Sequence, residues 1–256
     1  MSETQGKRRV VGALAQAAAA GFVMLALLPA AVLADDNNNV ELFAGSQLDF
    51  ANYVFIGATI SLPRPPNNNG TNNGFAVRGL LDTGGYNYVS GDLGTVKANF
   101  VGTVKANFGG GSLDGVYQIE QKNLFADFSL GVNDTYTNLV PDDPTNKLRG
   151  NQVELRVGAD GSSLSGPYRL DWYGYYGAKL ADYAAFIGGT HSLSPIWRLG
   201  VEGYSEGNPS YSLYQVGPYA GFAFDKTSEI DFSVGEAWQS GFSPRIYTRA
   251  IYLRRI

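Results

Sequence analysis

Two stretches decide the fold: LFADFSLGVN at residues 124–133 and QVELRVGAD at residues 152–160. In the second stretch, apolar Val153, Leu155 and Val157 alternate with polar Glu154 and Arg156. Because successive side chains of a β-strand point to opposite faces, this alternation predicts a strand with one apolar and one polar face. The first stretch alternates in the same way, so it predicts a second strand of this kind.

Similar segments recur along the chain, near residues 40–50, 53–62, 74–83, 111–121, 167–179, 182–192, 196–205, 210–224, 228–238 and 244–255. Many have ~10 residues or more, and a tilted strand needs ~9–11 residues to cross a bilayer. We count twelve or thirteen strands, and bacterial outer-membrane barrels have an even number. The pattern therefore predicts an all-β, closed antiparallel outer-membrane β-barrel of about 12 strands. A soluble β-sandwich is the alternative.

The composition excludes several classes of protein. Of 256 residues, 16% are charged, 13% are aromatic, none is Cys and one is His, and the net charge is −4. A chain without a basic excess is not expected to bind nucleic acid. The absence of Cys excludes disulfides and cysteine-ligated zinc, and a single His excludes any site that needs two. We expect no cofactor and no metal.

The N-terminus has the pattern of a secretory signal peptide. Lys7, Arg8 and Arg9 precede a long apolar run, and Val32 and Ala34 supply small or apolar residues at the −3 and −1 positions. This predicts cleavage after residue 34, with an uncleaved membrane anchor as the alternative. The expected organisation is a signal peptide at 1–34, a polar leader at 35–39 and one barrel domain at 40–256.

Longer polar links are expected at residues 63–73, 90–110, 134–147 and 161–166. Counted this way they follow even-numbered strands, which leaves open which loops face outward.

The sequence GTVKANF occurs at residues 94–100 and again at 102–108, as expected for a tandem duplication that lengthens a hairpin or loop. Tyrosines and tryptophans near strand ends predict aromatic girdles at the membrane interfaces. They crowd one predicted strand as Tyr168, Trp172, Tyr173, Tyr175 and Tyr176.

Charged residues in the predicted strands mostly fall opposite the apolar face. Because charge on the lipid face is costly, we expect these side chains to point into the lumen and pair there. A polar conduit or a ligand-binding lining is the functional alternative to simple pairing. The candidate lumen charges are Arg78, Glu120, Asp127, Glu154, Arg156, Arg169, Asp171, Arg198, Glu202 and Glu236.

The residues offer little for catalysis. His191 has Leu193 two positions later, whereas barrel lipid hydrolases place a Ser there, so the spacing does not bring a hydroxyl to the imidazole. Asp142 and Asp143 stand between two prolines and lack a series of further calcium ligands, which favours a rigid turn. We therefore expect no enzymatic activity, and a barrel lipid hydrolase is the third-ranked hypothesis.

Several motifs together resemble one family. They are GFAVRG at 74–79 with GGYNY at 84–88, PDDP at 141–144 with LRG at 148–150, and LGVE at 199–202 with GN at 207–208 and VGPYAG at 216–221. In this order and spacing they resemble the cellulose biosynthesis protein BcsS family, although the family's Gly-Pro-Glu is here Gly200-Val201-Glu202. The best-matched motif consists of Pro141, Asp142, Asp143, Pro144, Arg149 and Gly150.

The resemblance implies a Gram-negative outer-membrane barrel associated with cellulose production, and it carries over no catalytic residue. The expected role is to assist export or surface anchoring of the polysaccharide. The expected partners are outer-membrane lipids, with cellulose or components of the cellulose synthase complex as candidates. A generic porin-like or adhesive barrel unrelated to cellulose is the alternative.

Overall fold

Twelve antiparallel strands follow one another around a closed barrel in the computed structural model. The structure describes residues 40–63, 73–90 and 102–256. The predicted signal peptide, the polar leader and the first copy of the repeated heptapeptide lie outside these residues. The strands are β1 (Val40–Leu48), β2 (Ala51–Ser61), β3 (Gly74–Ser90), β4 (Gly102–Gln121), β5 (Leu124–Val140), β6 (Gly150–Ser165), β7 (Tyr168–Gly177), β8 (Tyr183–Ser192), β9 (Trp197–Asn208), β10 (Tyr211–Ala223), β11 (Ser228–Gln239) and β12 (Arg245–Arg255).

The barrel closes where β1 pairs with β12. Ser46 lies opposite Ala250 in this register, and the seam ends on the mutual backbone hydrogen bonds of Val40 and Ile256, at 3.1 and 2.7 Å. Closure leaves no strand edge unpaired, which is the condition for a sheet in lipid. The predicted all-β closed barrel of about 12 strands is confirmed.

The two ends of the barrel differ. Both ends of the described chain and the turns after even-numbered strands lie at one end, the terminus end, and the turns after odd-numbered strands lie at the other, the loop end. The segments 91–101 and 141–149 follow β3 and β5, so the prediction that the longer links follow even-numbered strands is wrong for these two. The error arose because residues 102–110, 134–140 and 161–165, which were expected to be links, belong to strands β4, β5 and β6.

Strands β3, β4 and β5 extend beyond their neighbours at the loop end. They have 17, 20 and 17 residues, more than the ~9–11 needed to cross a bilayer. Residues 87–90 of β3 run past the start of β2 and pair with residues 102–105 of β4. The second copy of the repeat, 102–108, therefore lengthens a hairpin, as expected for a duplication of eight residues that preserves strand parity.

The outer face of the barrel is apolar. Large side chains such as Leu81, Leu113, Leu155 and Val201 are each about 60% exposed on it. Exposed apolar surface of this extent is unfavourable in water but not against lipid chains. On β6, Leu155 points outward while Glu154 is buried in the interior, as the alternation predicts. Within the described part of the chain, no helix is long and apolar enough to span a membrane.

Candidate functional site in the barrel lumen

Eight of the ten predicted lumen charges lie inside the barrel, on strand faces that point into the lumen. Glu120 has the inward parity on β4 but is exposed beside the turn at the terminus end. The structure places Glu236 elsewhere, on the outer face of β11 with Phe232, Val234 and Trp238. Its position is two residues before Trp238 and close to the loop end, where a charge on the outer face costs only ~0–1 kcal/mol.

The first ionic network surrounds Arg78 on β3. Its guanidinium lies 2.6 Å from Asp127 of β5 and 2.6 Å from Asp160 of β6, and it donates a hydrogen bond of 3.1 Å to the hydroxyl of Thr59. Asp127 is 1% exposed and also accepts a hydrogen bond from Gln118. The network ties five neighbouring strands together at their inner faces.

The second network joins β7, β9 and β11. Arg169 forms a two-pronged contact with Glu229, at 3.0 and 3.1 Å, and lies 2.6 Å from Asp171. Arg198 contacts Asp171 at 3.1 Å and binds Asp231. Two buried arginines thus alternate with three carboxylates, so that each charge has an opposite partner. Such pairing offsets the desolvation of the charges.

The third network lies between β9 and β12. Arg249 is 4% exposed, lies 2.5 Å from Glu202 and sits over the rings of Phe186 and Tyr204, at 4.6 and 5.2 Å from their centroids. The hydroxyl of Tyr247 donates a second hydrogen bond to Glu202, at 2.8 Å. Together the second and third networks occupy part of the lumen near β7, β9, β11 and β12.

Two of the predicted girdle tyrosines of β7 lie inside the lumen. Tyr173 and Tyr175 of β7 pack against the buried cluster that includes Phe186, Tyr204 and Tyr219. The girdle prediction is wrong for these two, since their parity is that of Asp171. Tyr168 and Tyr176 do lie on the outer face, where they are 61% and 49% exposed.

An apolar cluster covers the lumen at the loop end. It brings together Phe50 of the β1–β2 turn, Phe242 of the β11–β12 turn and Tyr88 and Val104 of the extended β3–β4 hairpin. Phe50 and Phe242 have ring centroids 5.7 Å apart. A hydrogen bond from the side chain of Gln239 to the backbone oxygen of Asn87 also ties the hairpin to β11. The long hairpin therefore leans across the barrel and is fixed on its far side.

The PDDP motif fastens the β5–β6 loop to this cluster. Asp143 is 2% exposed and accepts hydrogen bonds from the Thr145 hydroxyl at 2.7 Å and the Tyr88 hydroxyl at 2.8 Å. Burial opposes ionisation of Asp143, but hydrogen bonds from Thr145, Ser90 and Tyr88 outweigh it and hold its pKa below the usual value. Asp142 pairs with Arg149 at 2.7 Å, and Gly150 has φ +75° where β6 begins. The motif is thus a rigid turn, as predicted.

The single histidine lies away from the lumen. His191 is exposed on the outer face of β8 and its ring packs edge-on against Tyr168, with centroids 5.1 Å apart. Ser192 has the opposite parity, and the Ser194 hydroxyl accepts hydrogen bonds from the amides of Ile196 and Trp197 in the following turn. Among the described residues, no group of three or more His, Asp or Glu side chains is arranged to hold a metal.

A cavity of about 430 Å³ lies in the lumen, lined mainly by residues of β1 to β7 and also by residues of β8, β9, β10 and β12. It runs from Glu41 and Leu253 at the terminus end to Tyr211 and Asn208 near the loop end. Ten aromatic rings line it: Phe43, Tyr53, Phe55, Tyr86, Phe108, Tyr173, Tyr175, Tyr183, Tyr204 and Tyr211. So do two arginines, Arg78 and Arg156, and seven carboxylates: Glu41, Asp82, Asp114, Glu154, Asp160, Asp182 and Glu206. Of this lining, the sequence analysis predicted the charged residues Arg78, Glu154 and Arg156, and it did not predict the aromatic residues or the other carboxylates.

Solved outer-membrane barrels have a similar architecture at low sequence identity. The transport unit of the autotransporter AIDA-I from Escherichia coli is 9% identical, with 93% of this chain and 98% of that chain covered and a TM-score of 0.49. The COG4313 outer membrane channel from Pseudomonas putida F1 is 14% identical, with 85% and 94% covered and a TM-score of 0.44. The KdgM porin is 9% identical, with 84% and 99% covered and a TM-score of 0.42. No curated protein matches the sequence.

A family model matches almost the whole described barrel. It covers residues 41–255, from the second residue of β1 to the last residue of β12, and is described as cellulose biosynthesis protein BcsS. The matched region contains all three ionic networks, the PDDP turn and the cavity. The chain therefore belongs to the cellulose biosynthesis protein BcsS family.

Proposed function

We propose that this barrel is a non-enzymatic outer-membrane protein that assists export or surface anchoring of cellulose. The observation that carries the proposal is the extent of the family match, which begins and ends with the barrel. The role in cellulose production is therefore assigned to the barrel itself. An apolar outer face and closed strand edges support its insertion in the outer membrane, the last barrier between the cell and its extracellular polymer.

The interior supports a role in holding polymer rather than in free diffusion. The ionic networks occupy part of the lumen, and the apolar cluster of Phe50 and Phe242 covers the loop end. The cavity that is left has the volume of a small-ligand pocket, for which ~300–1,000 Å³ is typical. A site of this size suits contact with a short segment of a polymer.

The position of His191 supports a non-enzymatic role. A Ser–His pair needs a hydroxyl within hydrogen-bond reach of the imidazole, and the two nearest serines of β8 and its turn point elsewhere or are engaged by backbone amides. The lumen networks pair arginines with carboxylates, and such ion pairs stabilise a barrel interior without taking part in a reaction.

A porin-like barrel unrelated to cellulose is the second candidate. It is favoured by the length of the cavity, which reaches from Glu41 to Asn208 and so follows most of the lumen. The two candidates differ in phenotype: loss of a porin-like barrel changes solute permeation, whereas loss of a cellulose-associated barrel changes the polymer.

The test is deletion of the gene, followed by complementation with the wild type, His191→Ala or Arg198→Ala at matched levels in the outer membrane. We expect deletion to lower the amount, attachment or fibre organisation of extracellular cellulose. His191→Ala should restore it, and Arg198→Ala should restore it less well. Unchanged cellulose after deletion would overturn the proposal, and failure of an assembled His191→Ala barrel would reinstate an enzymatic role.

A further inference from the structure

The lumenal cavity has the shape of a site for a chain molecule. Along β3 its lining extends from Arg78 to Tyr86, nine residues that span about 27 Å of strand. With a volume of about 430 Å³, a space of this length is narrow and follows the strands. An extended polymer fits such a space better than a compact small molecule does.

The aromatic lining gives the cavity flat apolar surfaces, several of which carry a hydroxyl group. Tyr53 stacks with Phe55 at 5.9 Å between centroids, and Tyr86 stacks with Tyr211 at 4.7 Å. Tyrosine combines a flat apolar ring with a polar hydroxyl. A pyranose whose hydroxyls are equatorial is complementary to this, because its two faces carry C–H groups and its edge carries the hydroxyls.

The carboxylates supply acceptors for hydroxyl groups. The Oδ1 atom of Asp82 is buried and accepts no hydrogen bond from the described residues. A buried acceptor left unpaired is energetically unfavourable, and a hydroxyl donor from a ligand removes that penalty. Near the loop end, Asp182 lies against Glu154, and burial followed by this contact raises the pKa of Asp182 to about 7.

The charge of the cavity selects against anionic ligands. Seven carboxylates line it against two arginines, and both arginines are engaged. Arg78 binds Asp127 and Asp160, while Arg156 donates a 2.7 Å hydrogen bond to Ser112 and lies over the ring of Tyr175. A lining of one sign creates a potential that repels ligands of the same sign. A sugar acid is therefore disfavoured and an uncharged sugar is not.

We propose that the lumenal cavity binds a short segment of an uncharged, β-linked glucan, with its sugar rings against the tyrosine rings and its hydroxyls on the carboxylates. Equatorial β-linkages keep such a chain flat and extended, as the narrow cavity requires. The inference rests on the proposed function, since it names the polymer segment that the barrel contacts.

The first test titrates the full-length barrel in detergent micelles with cellotetraose by calorimetry. Tyr175→Ala removes a ring from the cavity, and Tyr176→Ala, the matched control, removes the next ring, which lies on the outer face. We expect Tyr175→Ala to weaken binding about tenfold or more and Tyr176→Ala to leave it unchanged. Heat-modifiable gel migration verifies that each variant is folded. Absent cellotetraose binding, or equal effects of the two variants, overturns the proposal.

The second test concerns ligand charge and linkage. Tetragalacturonate and the α-linked maltotetraose should bind at least about tenfold more weakly than cellotetraose. Asp82→Asn should weaken cellotetraose binding and narrow the preference over tetragalacturonate, whereas Asp134→Asn, on the exposed outer face of β5, should do neither. Equal binding of the three tetrasaccharides overturns the proposal.

These binding measurements separate the inference from the proposed function. Specific cellotetraose binding with unchanged cellulose in the deletion strain would retain the site and refute the role in cellulose production. A cellulose defect on deletion, without cellotetraose binding, would retain the role and refute the site.

Discussion

Replacement of Arg198 by leucine tests whether the second ionic network stabilises the barrel. Arg198 is 8% exposed and binds Asp171 and Asp231, and it lies 3.5 Å from Glu229. Removal of one partner of a buried ion pair costs ~3–5 kcal/mol, because the charge left behind is buried and unpaired. Leucine keeps much of the apolar volume, so the measured loss reports mainly on charge.

The expected loss lies at the lower end of that range, about 3 kcal/mol. Arg169 remains in contact with Asp171 and Glu229, so these two carboxylates stay paired. Asp231 then keeps only the hydrogen bond from the Tyr219 hydroxyl, at 2.6 Å, among its contacts with the described residues. Most of the cost should therefore come from Asp231.

A second substitution checks that assignment. Asp231→Asn in the Arg198→Leu background removes the unpaired charge and should recover ~1 kcal/mol or more, since contacting residues couple by ~0.5–3 kcal/mol. Arg149→Gln is the matched control, because Arg149 and Asp142 form an exposed pair, 51% and 55% exposed. An exposed pair contributes ~0–1 kcal/mol.

The assay is equilibrium unfolding by urea in lipid vesicles, followed by the fluorescence of the three tryptophans. Free energies of unfolding are compared only between variants whose unfolding depends on urea concentration with the same slope. If Arg198→Leu costs no more than Arg149→Gln, the lumenal network contributes nothing beyond surface pairing. If Asp231→Asn brings no recovery in the double variant, the cost does not arise from the unpaired carboxylate.

Three further predictions concern location, parity and pH. The protein should fractionate with the outer membrane and migrate differently on gels before and after heating; recovery as a soluble periplasmic monomer would contradict the barrel. Leu155→Arg should destabilise by roughly 2–4 kcal/mol in lipid, since Leu155 lies on the outer face; a harmless Leu155→Arg beside a severe Arg156→Leu would reverse the parity. Because the pKa of Asp143 is lowered on folding, its contribution is present above the unfolded value of ~3.9 and is lost as pH falls through the folded value. Hydrogen exchange at the Thr145 amide, bonded to Asp143, should then accelerate relative to its intrinsic rate, whereas in Asp143→Ala, which lacks the acceptor, the amide should be unprotected at every pH.

The sequence predicted the barrel because strand parity is a local property. Val153, Leu155 and Val157 must share one face of β6 whatever the rest of the chain does, so alternation alone identified the lipid side. Glu236 could have been placed in the same way, because it shares its parity with Phe232 and Val234. The error came from a general expectation that charges point inward. Near the loop end, a charge on the outer face costs little free energy, so the expectation does not hold there.

Which side chains of β12 line the lumen depends on its pairing with distant strands, and the alternation within β12 does not reveal that pairing. Around Arg249 both faces of β12 are apolar, with Tyr247, Ile251 and Leu253 on one side and Ile246, Ala250 and Tyr252 on the other, so alternation does not say which side is lumen. The closing register of β12 against β1 and β11 decides it and brings Arg249 to Glu202. That register joins the two ends of the barrel domain, which are more than 200 residues apart in the chain.

The position of the cavity follows from the same long-range closure. Strands β7, β9 and β12 carry the arginines of the second and third networks, which pair with carboxylates of β7, β9 and β11 and occupy part of the lumen. Along β1 to β6, only Arg78 is drawn into a network of comparable size among the described residues, and glycines such as Gly158 replace larger side chains along the cavity wall. Space therefore remains where the lining is tyrosine and carboxylate. The distribution of arginine around the barrel, rather than strand number, therefore sets where open space remains in the lumen.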